Sequence, residues 1–197
     1  MVPTTPLRKD AARNWERIVA TARRYVDEGK PLQLNDVARA ASMGVATVYR
    51  HFPTPEALLE TVAAPTFEAL AERAEQALAD PDPWQALHGF LVEGIRVQLT
   101  DAAVAPVLAA GTDALACTTE LKHKVTSRFG RLLARVHEAG VIDPGVSEAD
   151  LVSLMCGIAY AVNIHTGLDA TERAAAGRRY LGILLAGLRQ PRPGSAE

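Results

Sequence analysis

Apolar residues recur along this chain at the three- and four-residue spacing of one helix face, in one segment after another. The first such stripe, Trp15, Ile18, Val19, Ala22, Tyr25 and Val26, predicts a helix over about Ala11–Glu28, with Arg13, Arg17, Arg23 and Arg24 on its polar side. Gly29 fits the C′ position that closes it, and Pro31 stops it from continuing. Two short repeats come next: Leu34, Val37, Ala38 and Ala41, then Val45, Val48, Tyr49 and Phe52. Ser42-Met43-Gly44 breaks the chain between them. Helices this short do not stand alone in water, so they must pack on the one before.

A helix, a tight turn and a second helix on a three-helix base is the helix-turn-helix plan, whose second helix enters the DNA major groove. Thr54-Pro55-Glu56 then supplies an N-cap, a proline in the first turn and an acid at the positive helix end. The helix it opens extends to about Ala79, and Pro65 should kink or split it. Asp80-Pro81-Asp82-Pro83 is the clearest punctuation in the chain. After it the pattern predicts helices over about 84–100, 103–110, 118–139, 147–164 and 171–188. The fourth of these, opened by Ser147-Glu148-Ala149-Asp150, is apolar nearly all round, so it is buried on most sides by a core or a partner. The remaining glycines are expected singly at helix ends. Residues 1–9 read as a flexible arm, and the Pro/Gly-rich stretch 191–197 reads as a disordered tail.

Composition narrows the class without deciding it. With 197 residues, 48% apolar and 22% charged, the chain is an ordinary globular protein. No run of about 18 apolar residues predicts a membrane span, and the N-terminus lacks the apolar core of a signal peptide. A cytoplasmic protein is expected. Its two cysteines, Cys117 and Cys156, then read as buried free thiols. Lys and Arg outnumber Asp and Glu nine to seven in the first 60 residues and are outnumbered twelve to sixteen after them. The sign of that asymmetry suits an N-terminal DNA-binding unit.

The stretch Asn14–Leu59 resembles the N-terminal domain of the TetR family of bacterial transcriptional repressors. The resemblance rests on Arg17-Ile18-Val19 with Ala22, on Gly29, on Val37-Ala38 with Ala41, and above all on Thr47-Val48-Tyr49-Arg50-His51-Phe52-Pro53 followed by Glu56-Ala57-Leu58-Leu59. Departures are Ser42-Met43 where the family usually has Gly-Val, Gln33 where it has Ser or Thr, and Pro55 where it often has Lys. The resemblance implies an all-α fold: a helix-turn-helix DNA-binding domain over 1–53 and a larger helical ligand-binding and dimerisation domain over 54–190. It implies a homodimer, paired through the helices at about 147–164 and 171–188, on double-stranded operator DNA. It further implies a repressor released by a small-molecule effector, with no cofactor.

On the expected recognition helix, Arg50 suits a bidentate hydrogen bond to guanine, while Val45 and Ala46 can only pack on a thymine methyl. By resemblance, Thr47, Tyr49 and His51 fall at phosphate-contacting positions and Asn35 at another that reaches DNA; Tyr49 has the alternative of being core. The resemblance also implies a pocket in the C-terminal helices. Trp84, His88, Phe90, Phe129, Met155 and Tyr160 are its candidate walls, with plain core packing as their alternative. His165 is a further pocket candidate. The five histidines show no HExxH or CxxC grouping, so no metal site is proposed, and no GxSxG or phosphate-loop motif suggests an enzyme. The alternative is an all-helical small-molecule-binding or enzymatic protein with a vestigial helix-turn-helix. A recombinase lacks support, since no carboxylate or serine grouping for strand transfer is present.

Overall fold

The 3.6-residue repeat is realised as helix in every segment that carries it. The computed structural model describes residues 6–164 and 167–189, with side chains from Asp10 on. Among them the helices are α1 (Pro6–Asp27), α2 (Leu34–Ala40), α3 (Val45–His51), α4 (Pro55–Leu78), α5 (Pro83–Thr100), α6 (Val104–Ala109), α7 (Ala116–Glu138), α8 (Glu148–Asn163) and α9 (Ala170–Leu188). The first residues of the expected arm, His165 and the expected tail lie outside the described residues. α1 starts at Pro6, ahead of the expected Ala11, so Pro6–Lys9 are helix rather than arm. Proline is tolerated there because first-turn N–H groups have no intrahelical acceptor. Pro65 does not split α4, which is one helix with the proline inside it.

Four helix starts are set by side chains. Thr54 Oγ1 accepts from the Ala57 N–H at 3.1 Å, opening α4. Asp82 accepts from the Trp84 and Gln85 N–H groups at 2.8 and 3.1 Å, with Pro83 following it in α5. Capping boxes open α8 (Ser147 with Asp150) and α9 (Asp169 with Glu172). Three helices close on one pattern. Gly29 and Gly140, both at φ +65°, donate to the carbonyls of Val26 and His137, and the next residues, Lys30 and Val141, donate to Tyr25 and Val136. Ser42 repeats it after α2 at φ +52°, donating to Arg39 while Met43 donates to Ala38. These are paired 5→2 and 6→1 bonds around a left-handed residue.

The described chain forms two compact units. One takes in the chain up to Pro65 together with Ala102–Thr119. There α2 packs on α1 and α3 on α2, over buried Ile18, Ala22, Leu34, Val37, Val48 and Phe52. Polar ties hold the packing. Arg17 donates to the Ala41 carbonyl at the end of α2, and Arg23 to the Val62 carbonyl of α4 at 2.6 Å. The buried Glu60 carboxylate of α4 accepts from the Ala114 and Leu115 N–H groups at 2.7 and 2.9 Å, just ahead of α7.

The second unit takes in Thr66–Asp101 and the chain from Glu120 on. α5 packs on both α8 and α9, which also pack on each other. Two glycines inside helices permit this, contrary to the expectation of glycines only at helix ends. A Cβ on Gly94 would stand 2.6 Å from Met155 Cε, and one on Gly177 2.6 Å from Leu99 Cδ1. Phe90 and Phe129 meet at 5.5 Å between ring centroids in the same core. Arg135 of α7 donates to the Leu78 and Asp80 carbonyls, capping the end of α4. Fully burying one large apolar side chain stabilises by about 1.5–3 kcal/mol, against about 0–1 for an exposed ion pair such as Arg13–Asp10. The apolar core therefore outweighs the surface charge pairs.

Two expectations about burial fail. Cys117 and Cys156 are free as expected but exposed, because they lie on outward helix faces. Trp15 is 42% exposed, although its ring lies 6.4 Å from that of Phe52.

Candidate nucleic-acid interface

Gly44, whose extended backbone serves as N-cap without a side-chain bond, precedes α3, and Phe52 is its C-cap. Only one edge of this short helix turns inward: Val48 and Phe52 are buried. Val45 and Tyr49 share their apolar repeat but stand outside it, each 46% exposed. A seven-residue helix resting on one neighbouring surface buries less than its apolar spacing suggests. Ala46 and Arg50 are exposed beside them, and Thr47 and His51 are half-buried at the flanks. Asn35 is exposed in the first turn of α2. The seven residues singled out in the sequence thus comprise six on α3 and one on α2.

The charge pattern on this surface is uneven. Arg39 of α2 is paired with Asp36 at 3.4 Å. Arg50 has no ion pair or hydrogen bond within the described residues, so its planar fork is available to an outside acceptor. His51 stands next to it in the last turn, its ring 6.4 Å from that of Phe52. Chemically, the outward face offers one unpaired guanidinium, a phenol, a hydroxyl, an imidazole and two small apolar groups. That set can hydrogen-bond to phosphates and base edges. Sequence reasoning placed Arg17 on a polar face and in the family motif, without a bonding role. Its bond to the Ala41 carbonyl fixes the α2–α3 turn against α1, and no local sequence signal announces a bond spanning 24 residues.

The six candidate pocket walls all lie in the second unit. Phe90, Phe129 and Met155 belong to its buried core. Trp84 and His88 are half-buried neighbours with ring centroids 6.3 Å apart, and Arg189 stacks over Trp84 at 4.8 Å. Tyr160 faces outward from α8 at 71% exposure.

Two family profiles match the chain. One, described as bacterial regulatory proteins of the tetR family, matches residues 18–62. The other, described as the C-terminal domain of SbtR-like transcriptional regulators, matches residues 82–190, more than half of the chain. The chain belongs to the TetR family. It is a helix-turn-helix DNA-binding transcriptional regulator, and the reading as an enzyme or binding protein with a vestigial helix-turn-helix is not favoured.

Solved structures of TetR-family regulators agree. SCO0520 of Streptomyces coelicolor is 28% identical over 89% of this chain and 98% of its own, with a TM-score of 0.55. A TetR regulatory protein of Mycobacterium vanbaalenii is also 28% identical, over 94% of this chain and 100% of its own, with a TM-score of 0.52. FadR of Bacillus subtilis, solved in complex with stearoyl-CoA, shares the fold at a TM-score of 0.66 and 16% identity, over 88% of this chain and 99% of its own. No protein of curated function matches the chain. Among the described residues of this TetR-family regulator, no helix is long and apolar enough to cross a membrane.

Proposed function

We propose that this regulator represses transcription from a pseudo-palindromic operator, bound as a homodimer in the cytoplasm and released by a small molecule. Residues 1–53 make up the DNA-binding domain, 54–190 the ligand-binding and dimerisation domain, and 191–197 a tail. The observation that carries the reading is the outward face of α3, on which Arg50 has no partner within the described protein. In this reading Arg50 takes guanine O6 and N7, and Val45 and Ala46 pack on thymine methyls. Thr47, Tyr49, His51 and Asn35 hold phosphates. Two copies present two such helices because one short recognition helix reads too few base pairs for specificity.

Pairing through α8 and α9 is supported by apolar side chains left in the open there. Tyr160, Ile164 and Ile183 are 71%, 55% and 68% exposed. Effector release is supported by relatives of this fold solved with ligands, among them FadR with stearoyl-CoA and RolR with resorcinol. Trp84, His88, Phe90, Phe129, Met155 and Tyr160 remain the proposed effector-contacting residues. Binding must favour one spacing of the two recognition helices over another, since only differential affinity shifts the population.

The test is binding to the DNA flanking its own gene. The wild type should bind tightly, with affinity falling steeply as salt rises. Arg50→Ala should lose about 1–3 kcal/mol, most of it specific to sequence. Thr47→Ala should lose affinity evenly across sequences. Salt-independent binding, or full affinity in Arg50→Ala, would overturn the reading.

A further inference from the structure

A cavity of about 270 Å³ opens between α5 and α9 in the second unit. Its walls are mostly aliphatic, with Val92, Ile95 and Leu99 from α5 facing Ala170 and Ala174 from α9, and Thr100 at the end of α5 joins them. Three arginines also line it: Arg96, Arg173 and Arg178.

The arginines are not equivalent. Arg96 is committed to Glu93 through two bonds, Nε to Oε2 at 2.7 Å and Nη2 to Oε1 at 2.6 Å. The Nε–H of Arg173 is buried with no acceptor among the described residues, a state that buried donors in folded proteins seldom keep. Arg178 is exposed at the cavity and makes no ion pair within the described residues. The acids nearest in sequence are spent elsewhere, since Asp169 and Glu172 each accept the other's N–H at 2.9 Å at the start of α9. The cavity therefore combines an apolar interior with an unanswered positive charge.

We propose that this cavity binds an aliphatic carboxylate, its tail among Val92, Ile95, Leu99 and Ala174 and its carboxylate on Arg173 and Arg178. Guanidinium groups suit a carboxylate because two N–H donors of one planar fork match its two oxygens. Among the described residues no aromatic ring lines the walls, which favours a flexible alkyl tail over a stacked ring system. Size follows from volume. An apolar cavity of about 150 Å³ holds one benzene molecule, so this one takes about ten non-hydrogen atoms. The site rests on the effector-responsive reading only for its consequence on DNA; binding rests on the cavity alone.

The experiment is calorimetric titration of the full-length protein with octanoate, octan-1-ol and octylamine, on wild type, Arg173→Gln, Arg178→Gln and the cavity-filling Ala174→Leu. Octanoate should bind once per protomer and at least roughly tenfold more tightly than octan-1-ol, with no binding of octylamine. Arg173→Gln should weaken it roughly tenfold or more, Arg178→Gln by less, and Ala174→Leu should abolish it. Arg178 is a surface residue, so its variant keeps the test alive if Arg173→Gln fails to fold. Octanoate that does not bind, or binds the arginine variants as tightly as wild type, overturns the proposal. The operator-binding assay repeated with octanoate separates the two readings. Arginine-dependent binding with unchanged operator affinity supports the carboxylate site and removes it as the effector site.

Discussion

Ser42 sits at φ +52° where the two other helix ends of the same pattern carry glycine. The left-handed region costs a residue with a Cβ about 1–2 kcal/mol, while glycine loses more chain entropy on folding, about 0.5–1 kcal/mol. Ser42→Gly should therefore stabilise the protein by several tenths of a kcal/mol, read as a higher urea midpoint at unchanged slope. A lower midpoint would show that the serine hydroxyl does something the backbone argument misses. Glu148 presents the opposite case, a side chain in an uncomfortable place. It lies against α7 so closely that a Cβ on Gly130 would be 2.9 Å from its Oε2. The loss of water there pushes its carboxyl above the ordinary carboxylate value. A raised folded-state value means the stabilising contribution is complete below the ordinary value and is lost as pH rises through the folded one. Ionised Glu148 is thus a liability at neutral pH. Glu148→Gln should raise the melting temperature at about pH 7, with the gain shrinking as pH falls to about 4.

At the scale of elements, the two interior glycines separate by what surrounds them. Met155 Cε, the atom nearest Gly94, is the free end of a flexible chain and can swing away. Gly177 faces Leu99 Cδ1 and also the Cγ2 methyl of Ile95 at 3.0 Å, which is fixed to a branched β carbon. Gly94→Ala should stay within about 0.5 kcal/mol of wild type, since better helix propensity offsets the adjustment. Gly177→Ala should cost about 1–3 kcal/mol by overpacking. Equal effects in a thermal unfolding comparison would contradict this account of α5–α8–α9 packing. These contacts also mark where sequence reading stopped. Helix existence was legible from the apolar repeat, and the starts of α4 and α8 from Thr54 and Ser147, because period and capping are local properties. The glycines of α5 and α9, the Arg17 bond to the end of α2 and the exposure of Trp15, Cys117 and Cys156 were not legible, because each depends on which helix arrives from elsewhere. On the recognition helix the motif located α3, yet the repeat grouped Val45 and Tyr49 with the buried Val48. Only the arrival of α2 on one side of α3 decides which of them faces out.

At the scale of the whole molecule, the open faces of α8 and α9 carry the remaining consequence. α8 turns Leu151, Met155, Ala159 and Val162 inward and leaves Val152, Leu154, Tyr160 and Ile164 outside, while α9 leaves Ile183 outside. Monomeric proteins rarely keep large apolar patches in water, so a second copy is the proposed cover. A symmetric pair meets the same patch with itself, which makes the centre of each helix face the sensitive point. A charge there is repeated on both copies and is desolvated on both. Tyr160→Asp combined with Ile183→Asp should give a monomer by sedimentation, with helical content unchanged because neither side chain contributes to the core. The same variant should lose most operator affinity while α3 stays intact, since each half-site would then bind alone and the gain from linking two sites, a factor of about 100–10,000, disappears. A variant that stays dimeric would place the interface on another face. One that becomes monomeric yet keeps wild-type operator affinity would mean that a single α3 suffices for recognition.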